Sequence, residues 1–460
     1  MVIFCNFLVQ KAYKWGMKEV KKGLKTHFIG IGGISMNALA KYLISMGFEV
    51  SGSDSVKSKF TDEIEALGGE VFIGQDARNI GEAQIVVYSS AIGEDNPELK
   101  EGRKRGLFVL SRAELLQMIA ENFGSVIGVS GCHGKTTTTC MIAHIFRCAG
   151  KKFTSHIGGV DLILGNFFAS GSEYFLTEAC EFKKNLLLLE PDTAVCLGTQ
   201  FDHPDSYKDR EDLKNCYFKF IGKGKKAIIN GDDETLATYD GKNAVKFGLE
   251  KTNDYFPTDI REKKGRYSFV VNYGNGKSFP VKLKIYGYHN IYNALAACAC
   301  ALENGLSVEA VTEGLSSFIG VERRFENIGK LRGATVIADY AHHPDEIEAA
   351  FSAAEKLRAK KLFVVFQPHT YSRTLSLKDK FVTALNKIPE LVIYKTYPAR
   401  EEYVYGGSAY DLYIECGKKG IYFGDAEAMI SYFKGKLKRG DVVLVLGAGD
   451  IYDVFKKAVR

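Results

Sequence analysis

Two glycine-rich turns, each set between an apolar strand and a helix, constrain the fold of this chain more than any other feature. The first is Gly30-Ile31-Gly32-Gly33-Ile34-Ser35. The second is Gly131-Cys132-His133-Gly134-Lys135-Thr136, running on into Thr137, Thr138 and Thr139. A turn of this kind lets backbone N–H groups face an anion at a helix N-terminus. It works only where a strand feeds it and a helix leaves it, so two turns a hundred residues apart call for two strand–helix sheets.

The flanking sequence meets that demand. In the first block Thr26 to Ile31 reads as a strand, Met36 to Met46 as a helix, Phe48 to Ser51 as the next strand and Ile85 to Ser89 as a short buried one. The second block opens with the strand Ser125 to Val129. A helix from Thr136 to Cys148 and strands at 174–177, 193–197 and 226–229 follow. From Thr252 to Ile285 the pattern alternates around turn residues such as Tyr273-Gly-Asn-Gly276, which predicts antiparallel strands. A helix resumes at Asn290. The third block carries strands at 335–338, 362–366, 391–394 and 442–446 with helices between them. The expected class is α/β in three domains, at 26–123, 124–322 and 323–460, with 1–25 as an extension outside the core. Met17 offers a second candidate start.

Composition narrows the function. A net charge of +6, from 61 basic and 55 acidic residues, suits small anionic ligands and makes no case for nucleic acid. The ten cysteines form no CxxC pair, so free thiols in a reducing cytoplasm are expected, without cysteine-bound metal. No apolar run reaches the roughly 18 residues a membrane span needs. The apolar start Met1 to Val9 lacks the basic region and cleavage site of a signal peptide.

In the second turn Gly131 and Gly134 shape the backbone and Lys135 would neutralise phosphate charge. The Thr136 hydroxyl would ligate Mg²⁺. Val129 stands where the usual Walker form has its first glycine, so this is a shorter GxxGKT loop and points to ATP. The first turn is less specific. Ser35 replaces the third glycine of a dinucleotide fingerprint, and Asp54 ends the next strand as a ribose-binding acid would. Dinucleotide binding and a plain strand-to-helix turn both remain open on these residues.

Further motifs span residues 26 to 451: VSGSD (50–54), SSAI (89–92), DNPE (95–98), RAELL (112–116), HIGG (156–159), EACE (178–181), DH (202–203), GYHNIYNALAA (287–297), RRFE (323–326), DYAHHPDEI (339–347), FQPHTYSRT (366–374) and GAGDI (447–451). Together with the two turns they resemble the Mur ligases, and DYAHHP with QPHTYSRT resembles the alanine-adding branch. The resemblance implies a Rossmann-like UDP-binding domain, a central P-loop ATPase domain with a mixed sheet, and a C-terminal Rossmann-like α/β domain. It implies ATP-driven joining of L-alanine to the carboxylate of UDP-N-acetylmuramate through an acyl phosphate, in the cytoplasm, by a monomer or weak dimer.

The same resemblance assigns roles. ATP would be held by Gly131, His133, Gly134, Lys135, Thr136, Thr137, Asn290, Asn293, Arg324 and Asp339. Mg²⁺, with Mn²⁺ as a substitute, would be held by Thr136, Glu178 and His203. Gly30, Gly32, Gly33, Asp54, Ser89, Ser90, His342, His369 and Arg373 would serve the substrates. Lys135, Glu178, His203, Arg324 and His342 would be catalytic. Each also has a plainer reading, such as Asn290 with Asn293 as a helix cap or Arg373 as a solvated charge.

The chain departs from the family pattern at three places. Cys132 replaces a threonine, Cys180-Glu181-Phe182-Lys183-Lys184 replaces an acidic-polar run, and Gln200 replaces a glutamate. Lys219 is the nearby candidate for the carbamylated lysine of some relatives, which the alanine-adding branch is not expected to use. The competing functions are a sister ligase attaching a preformed peptide, a diverged homologue with another amino acid or no turnover, and an NAD-dependent oxidoreductase. The last leaves the GKT loop and DYAHHP without a role.

Overall fold

The structure is a computed structural model that describes residues 24–200, 207–274, 276–399 and 401–459. The candidate ligand His203, its neighbour Asp202, the candidate start Met17 and nearly all of the expected extension 1–25 lie outside the described residues.

Three sheets carry the chain. The first is β1 (Lys25–Ile29), β2 (Glu49–Asp54), β3 (Glu70–Ile73), β4 (Ile85–Tyr88) and β5 (Phe108–Ser111), in the order β3-β2-β1-β4-β5. Every pairing in it is parallel. The chain order reverses at β1, so the Gly30–Gly33 turn at the end of β1 occupies the switch point where parallel sheets bind ligands.

The second sheet has ten strands: β6 (Ser125–Ser130), β7 (Phe153–Asp161), β8 (Gly165–Ala169), β9 (Tyr174–Glu178), β10 (Thr193–Cys196), β11 (Lys226–Asn230), β12 (Ala244–Phe247), β13 (Tyr255–Lys263), β14 (Arg266–Tyr273) and β15 (Lys277–Tyr286). Their order is β15-β14-β13-β12-β11-β10-β6-β9-β7-β8. The β6 strand lies between β9 and β10, parallel to both. The loop leaving β6 is therefore flanked by the ends of those two strands. The strands β13 to β15 follow one another through short turns, as the alternating pattern over 252–285 predicts.

The third sheet is β16 (Glu326–Leu331), β17 (Ala334–Asp339), β18 (Leu362–Phe366), β19 (Glu390–Tyr394), β20 (Ile421–Phe423) and β21 (Val442–Leu446), in the order β16-β17-β21-β18-β19-β20. Only β16 runs antiparallel to its neighbour. Alternate residues face opposite cores: Ile337, Val364 and Leu444 one way, Val336, Phe363 and Val443 the other.

The chain divides into two compact units. One holds the first sheet and most of the second, and the other holds the third sheet with Asp259–Phe269 and Lys282–Ile291. In the first unit a single core runs from Phe28, Leu39 and Val87 through Leu115 to Phe175, Ala194 and Phe220. It joins the sheets that carry the Gly30 turn and the Gly131 loop within one compact unit. Among the described residues no helix is long and apolar enough to cross a membrane.

The strands read from sequence are present within a few residues of their expected ends. The sequence reading placed no residues for β3 and β5 and overlooked β7, β8, β12, β16 and β20. In β7 the run Thr154-Ser155-His156-Ile157-Gly158-Gly159 has too few apolar residues to show alternation, and its pairing comes from neighbouring strands.

Candidate active site

The second loop opens on the helix Lys135–Cys148, with Gly134 as its cap at φ +83. A Cβ there would lie 2.3 Å from Asn293 Oδ1, and one at Gly131, φ +121, would lie 2.9 Å from Leu197 N. Any other residue at either position would be strained and would have to displace a neighbour. Asn293 sits against the loop, and its Oδ1 accepts the Thr138 hydroxyl at 3.3 Å. His133 is exposed and Thr137 half-buried.

The chemistry of the loop gathers at its helix end. The Lys135 ammonium donates to the Gly131 carbonyl at 2.5 Å and pairs with Glu181 at 2.9 Å. Burial acts against its charge, but Glu181 outweighs this and holds the ammonium above its ordinary pKa. Thr136 Oγ1 donates to Glu178 Oε2 at 3.1 Å, and Glu178 Oε1 accepts the Gly158 N–H at 2.6 Å. A hydroxyl and a carboxylate side by side are hard oxygen donors that fit Mg²⁺. Among the described residues no cluster of three or more His, Cys, Asp or Glu is placed to hold a metal, so phosphate oxygens or His203 would have to complete such a shell. Sequence reasoning quoted Glu181 within EACE but gave it no role. Its position three residues past Glu178, just beyond the end of β9, was the available signal.

The first loop is held by β2. The Ser53 carbonyl accepts the N–H groups of Gly30 and Ile31 at 2.8 and 3.0 Å, and Asp54 Oδ2 accepts Gly32 N–H at 2.9 Å. Asp54 therefore grips the turn itself. Ser89 lies beside Gly30, 3.7 Å from where a Cβ would stand. Behind the turn, Ser35 Oγ meets His156 Nε2 at 2.8 Å and accepts from Arg112 Nη1 at 3.2 Å. Burial drives the His156 pKa down to about 3, with Arg112 adding to it, so the ring is neutral. Neither His156 nor Arg112 was singled out from sequence, although both lie in quoted motifs.

The departures from the family pattern have structural partners. Cys132 Sγ donates to the Gly198 carbonyl at 3.2 Å, and burial pushes its thiol up to about 11. Lys183 and Lys184 both adopt left-handed backbone, at φ 52 and 58. Such conformations cost about 1–2 kcal/mol each without glycine. Lys184 pairs with both Asp212 oxygens at 2.7 and 2.8 Å, and Lys183 donates to the Ser90 carbonyl at 3.3 Å. Gln200 and Lys219 are exposed.

The remaining predicted residues lie in the unit of the third sheet. Asp339 accepts the N–H groups of Phe325 and Ala341, each at 2.8 Å. Burial raises its carboxyl to about 6 against the pull of Arg324. The Arg324 guanidinium lies 5.3 Å from the centre of the Tyr340 ring. His342 Nδ1 meets the Tyr340 carbonyl at 2.9 Å, so this nitrogen carries the proton and Nε2 is an acceptor. The His342 and His369 rings are 5.7 Å apart, and Arg373 reaches His369 Nδ1 at 3.3 Å. Burial lowers the pKa of both imidazoles, that of His369 to about 4. The structure thus brings His342, His369 and Arg373 into one cluster, and Arg324 and Asp339 into another. Asn290 opens the helix Asn290–Glu303 and its amide donates to the Tyr286 carbonyl at 2.6 Å.

Comparison with known proteins accounts for all three sheets. Residues 25–124 match the Mur ligase family, catalytic domain; 129–301 match the Mur ligase middle domain; 323–449 match the Mur ligase, glutamate ligase domain. The UDP-N-acetylmuramate–L-alanine ligase of Clostridium acetobutylicum is 41% identical over 440 residues, spanning 94% of this chain and 96% of that protein. The crystal structure of UDP-N-acetylmuramate-alanine ligase MurC from Thermotoga maritima is similar with a TM-score of 0.83 at 27% identity, covering 95% of this chain and 98% of that one. A murein peptide ligase from Psychrobacter arcticus shares the fold, with a TM-score of 0.72 at 23% identity and coverage of 95% and 98%.

Proposed function

The chain belongs to the Mur ligase family, and from that premise we propose that it is an ATP-dependent, ADP-forming ligase joining L-alanine to the carboxylate of UDP-N-acetylmuramate in peptidoglycan precursor synthesis. The observation that carries this reading is the convergence of Lys135, Thr136 and Glu178 on one glycine loop. We take 26–123, 124–322 and 323–460 as the substrate, ATP and amino-acid domains.

A carboxylate is a poor electrophile and needs activation as an acyl phosphate before an amine can attack it. Lys135 would neutralise charge on the phosphoryl oxygens, and the loop N–H groups would orient them. Thr136 and Glu178 would hold Mg²⁺, which supplies further charge neutralisation when bound, with His203 as a third candidate ligand. Gly30, Gly32 and Gly33, with Ser89 and Ser90, would hold the UDP part of the acid. Arg324 and Asp339 would meet the nucleotide of ATP, together with Asn293 and Asn290. His342 presents a neutral Nε2 that can accept a proton from the incoming amine, with His369 and Arg373 beside it.

Phosphate release from ATP in the presence of UDP-N-acetylmuramate, with each amino acid added in turn, tests the reading. Release that requires L-alanine is expected. Release only with a preformed L-alanyl peptide would make the chain a peptide-attaching ligase instead, and binding of NADH at the first loop would overturn the UDP assignment.

A further inference from the structure

The segment Glu181–Lys184 touches three parts of the first unit at once. The Glu181 carboxylate pairs with the Lys135 ammonium, and the Glu181 carbonyl accepts the Tyr207 hydroxyl at 2.5 Å and the Lys184 N–H at 2.9 Å. Lys184 is clamped by both oxygens of Asp212, in the first turn of the helix Arg210–Lys223. Lys183, between them, reaches across to the Ser90 carbonyl, in the loop that follows β4 and lies against Gly30.

Two consecutive lysines in left-handed backbone are strained, and strain of this kind persists only where surrounding contacts over-determine it. Here the Lys184–Asp212 pair is that contact, and its consequence is the direction of Lys183. An extended or helical backbone would aim the side chain elsewhere. The residue types also matter. Where the family resemblance leads one to expect acid at this position, this chain has a cation, and a carboxylate could not donate to the Ser90 carbonyl.

We propose that Lys183 is a positioning residue for the nucleotide-linked acid. It holds the Ser89–Ser90 loop against the Gly30–Gly33 turn from the strand end that also carries the ATP-loop partners Glu178 and Glu181. The inference rests on the reading of the first loop as the UDP-substrate site. It makes affinity for that substrate depend on a side chain of the ATP-bearing sheet, with Asp212 as the support that keeps the side chain aimed.

The experiment uses the full chain and two separate ligands in calorimetry, UDP-N-acetylmuramate and a non-hydrolysable ATP analogue, alongside steady-state kinetics and thermal unfolding. Lys183→Ala should weaken UDP-N-acetylmuramate binding and raise its KM about 5- to 10-fold, as expected for one charge-assisted hydrogen bond discounted for exposure. Affinity for the ATP analogue, kcat and the unfolding midpoint should stay close to wild type. Lys183→Arg, which keeps a donor, should restore most of the affinity. Asp212→Asn should shift the same KM in the same direction by less. Unchanged UDP-N-acetylmuramate affinity in Lys183→Ala would overturn the proposal, as would parallel loss of both ligands with a lowered unfolding midpoint. Wild-type protein that fails to bind UDP-N-acetylmuramate at all would instead overturn the substrate reading on which the proposal rests.

Discussion

The two glycine loops follow the same strand–turn–helix plan yet are held by opposite charges. In the first, an acid of the neighbouring strand grips the turn: Asp54 accepts the Gly32 N–H, and the Ser53 carbonyl takes two more. In the second, a cation belongs to the loop itself, and Lys135 folds back onto the Gly131 carbonyl and onto Glu181. The caps differ too. Gly33 starts its helix from extended backbone, at φ −67, whereas Gly134 does so from the left-handed region. The first loop is thus a scaffold whose shape is set from outside. The second is a charged device whose shape depends on its own glycine and lysine. A binding site needs only the former, and phosphoryl transfer needs the latter.

The sharpest way to break this comparison is at the lysine. Lys135→Ala should lower kcat for phosphate release on the order of 10²–10³-fold, the usual cost of losing one preorganised electrostatic partner. Near-normal turnover would remove the second loop from the chemistry. Next comes the pair of cap glycines. Gly134→Ala forces a left-handed alanine, at about 1–2 kcal/mol, and places its methyl against Asn293 Oδ1. It should cut affinity for an ATP analogue by roughly 10-fold or more, while Gly33→Ala, which keeps a negative φ and brings its Cβ 3.3 Å from the Gly30 carbonyl, should weaken UDP-N-acetylmuramate binding by less. Equal losses in calorimetry would show that the caps do not differ in function.

A smaller effect separates the loops by ligand. Gly32→Val drives a side chain into Asp54 Oδ2, 2.9 Å from the new Cβ. UDP-N-acetylmuramate affinity should fall several-fold with the ATP-analogue affinity unchanged, and loss of both would merge the two sites. Smallest in its reach into ligand binding is a pH dependence of stability behind the first loop. His156 titrates near 3 in the folded chain against an ordinary 6.5. The unfolded chain therefore binds a proton that the native state refuses, and stability drains as pH falls from about 6.5 towards 3. Chemical unfolding across that range should show a flatter profile for His156→Gln than for wild type. Identical slopes would mean that the buried imidazole is not the responsible group.

Much of the fold was legible because local rules govern it. The GIGGIS and GCHGKT turns demand a strand before and a helix after, and both are found at β1 and β6 with the helices that follow them. Apolar runs such as Leu362–Phe366 and Val442–Leu446 are buried on both faces, so their composition alone marks them as strands. The overlooked strand β7 shows the limit: Thr154, Ser155 and His156 pair on both sides because β8 and β9 lie there, and nothing local announces it.

The site divides along the same line. From sequence alone came the residue types and their order: the lysine and threonine after Gly134, the acid at the end of β9, the histidines around 342 and 369, and the two glycine turns. Tertiary structure alone decided the partners. Strand order sets β9 beside β6, which delivers Glu178 to Thr136 and lets Glu181 reach Lys135, although more than forty residues separate them. It sets Ser35 against His156, and it turns Lys183 towards Ser90 by way of a backbone strain that no propensity foretells. The reason is physical. Turn and strand preferences act over a few residues and can be read in order, whereas a hydrogen bond or ion pair acts over about 3 Å of space, and only the packed sheet determines which residues share that space.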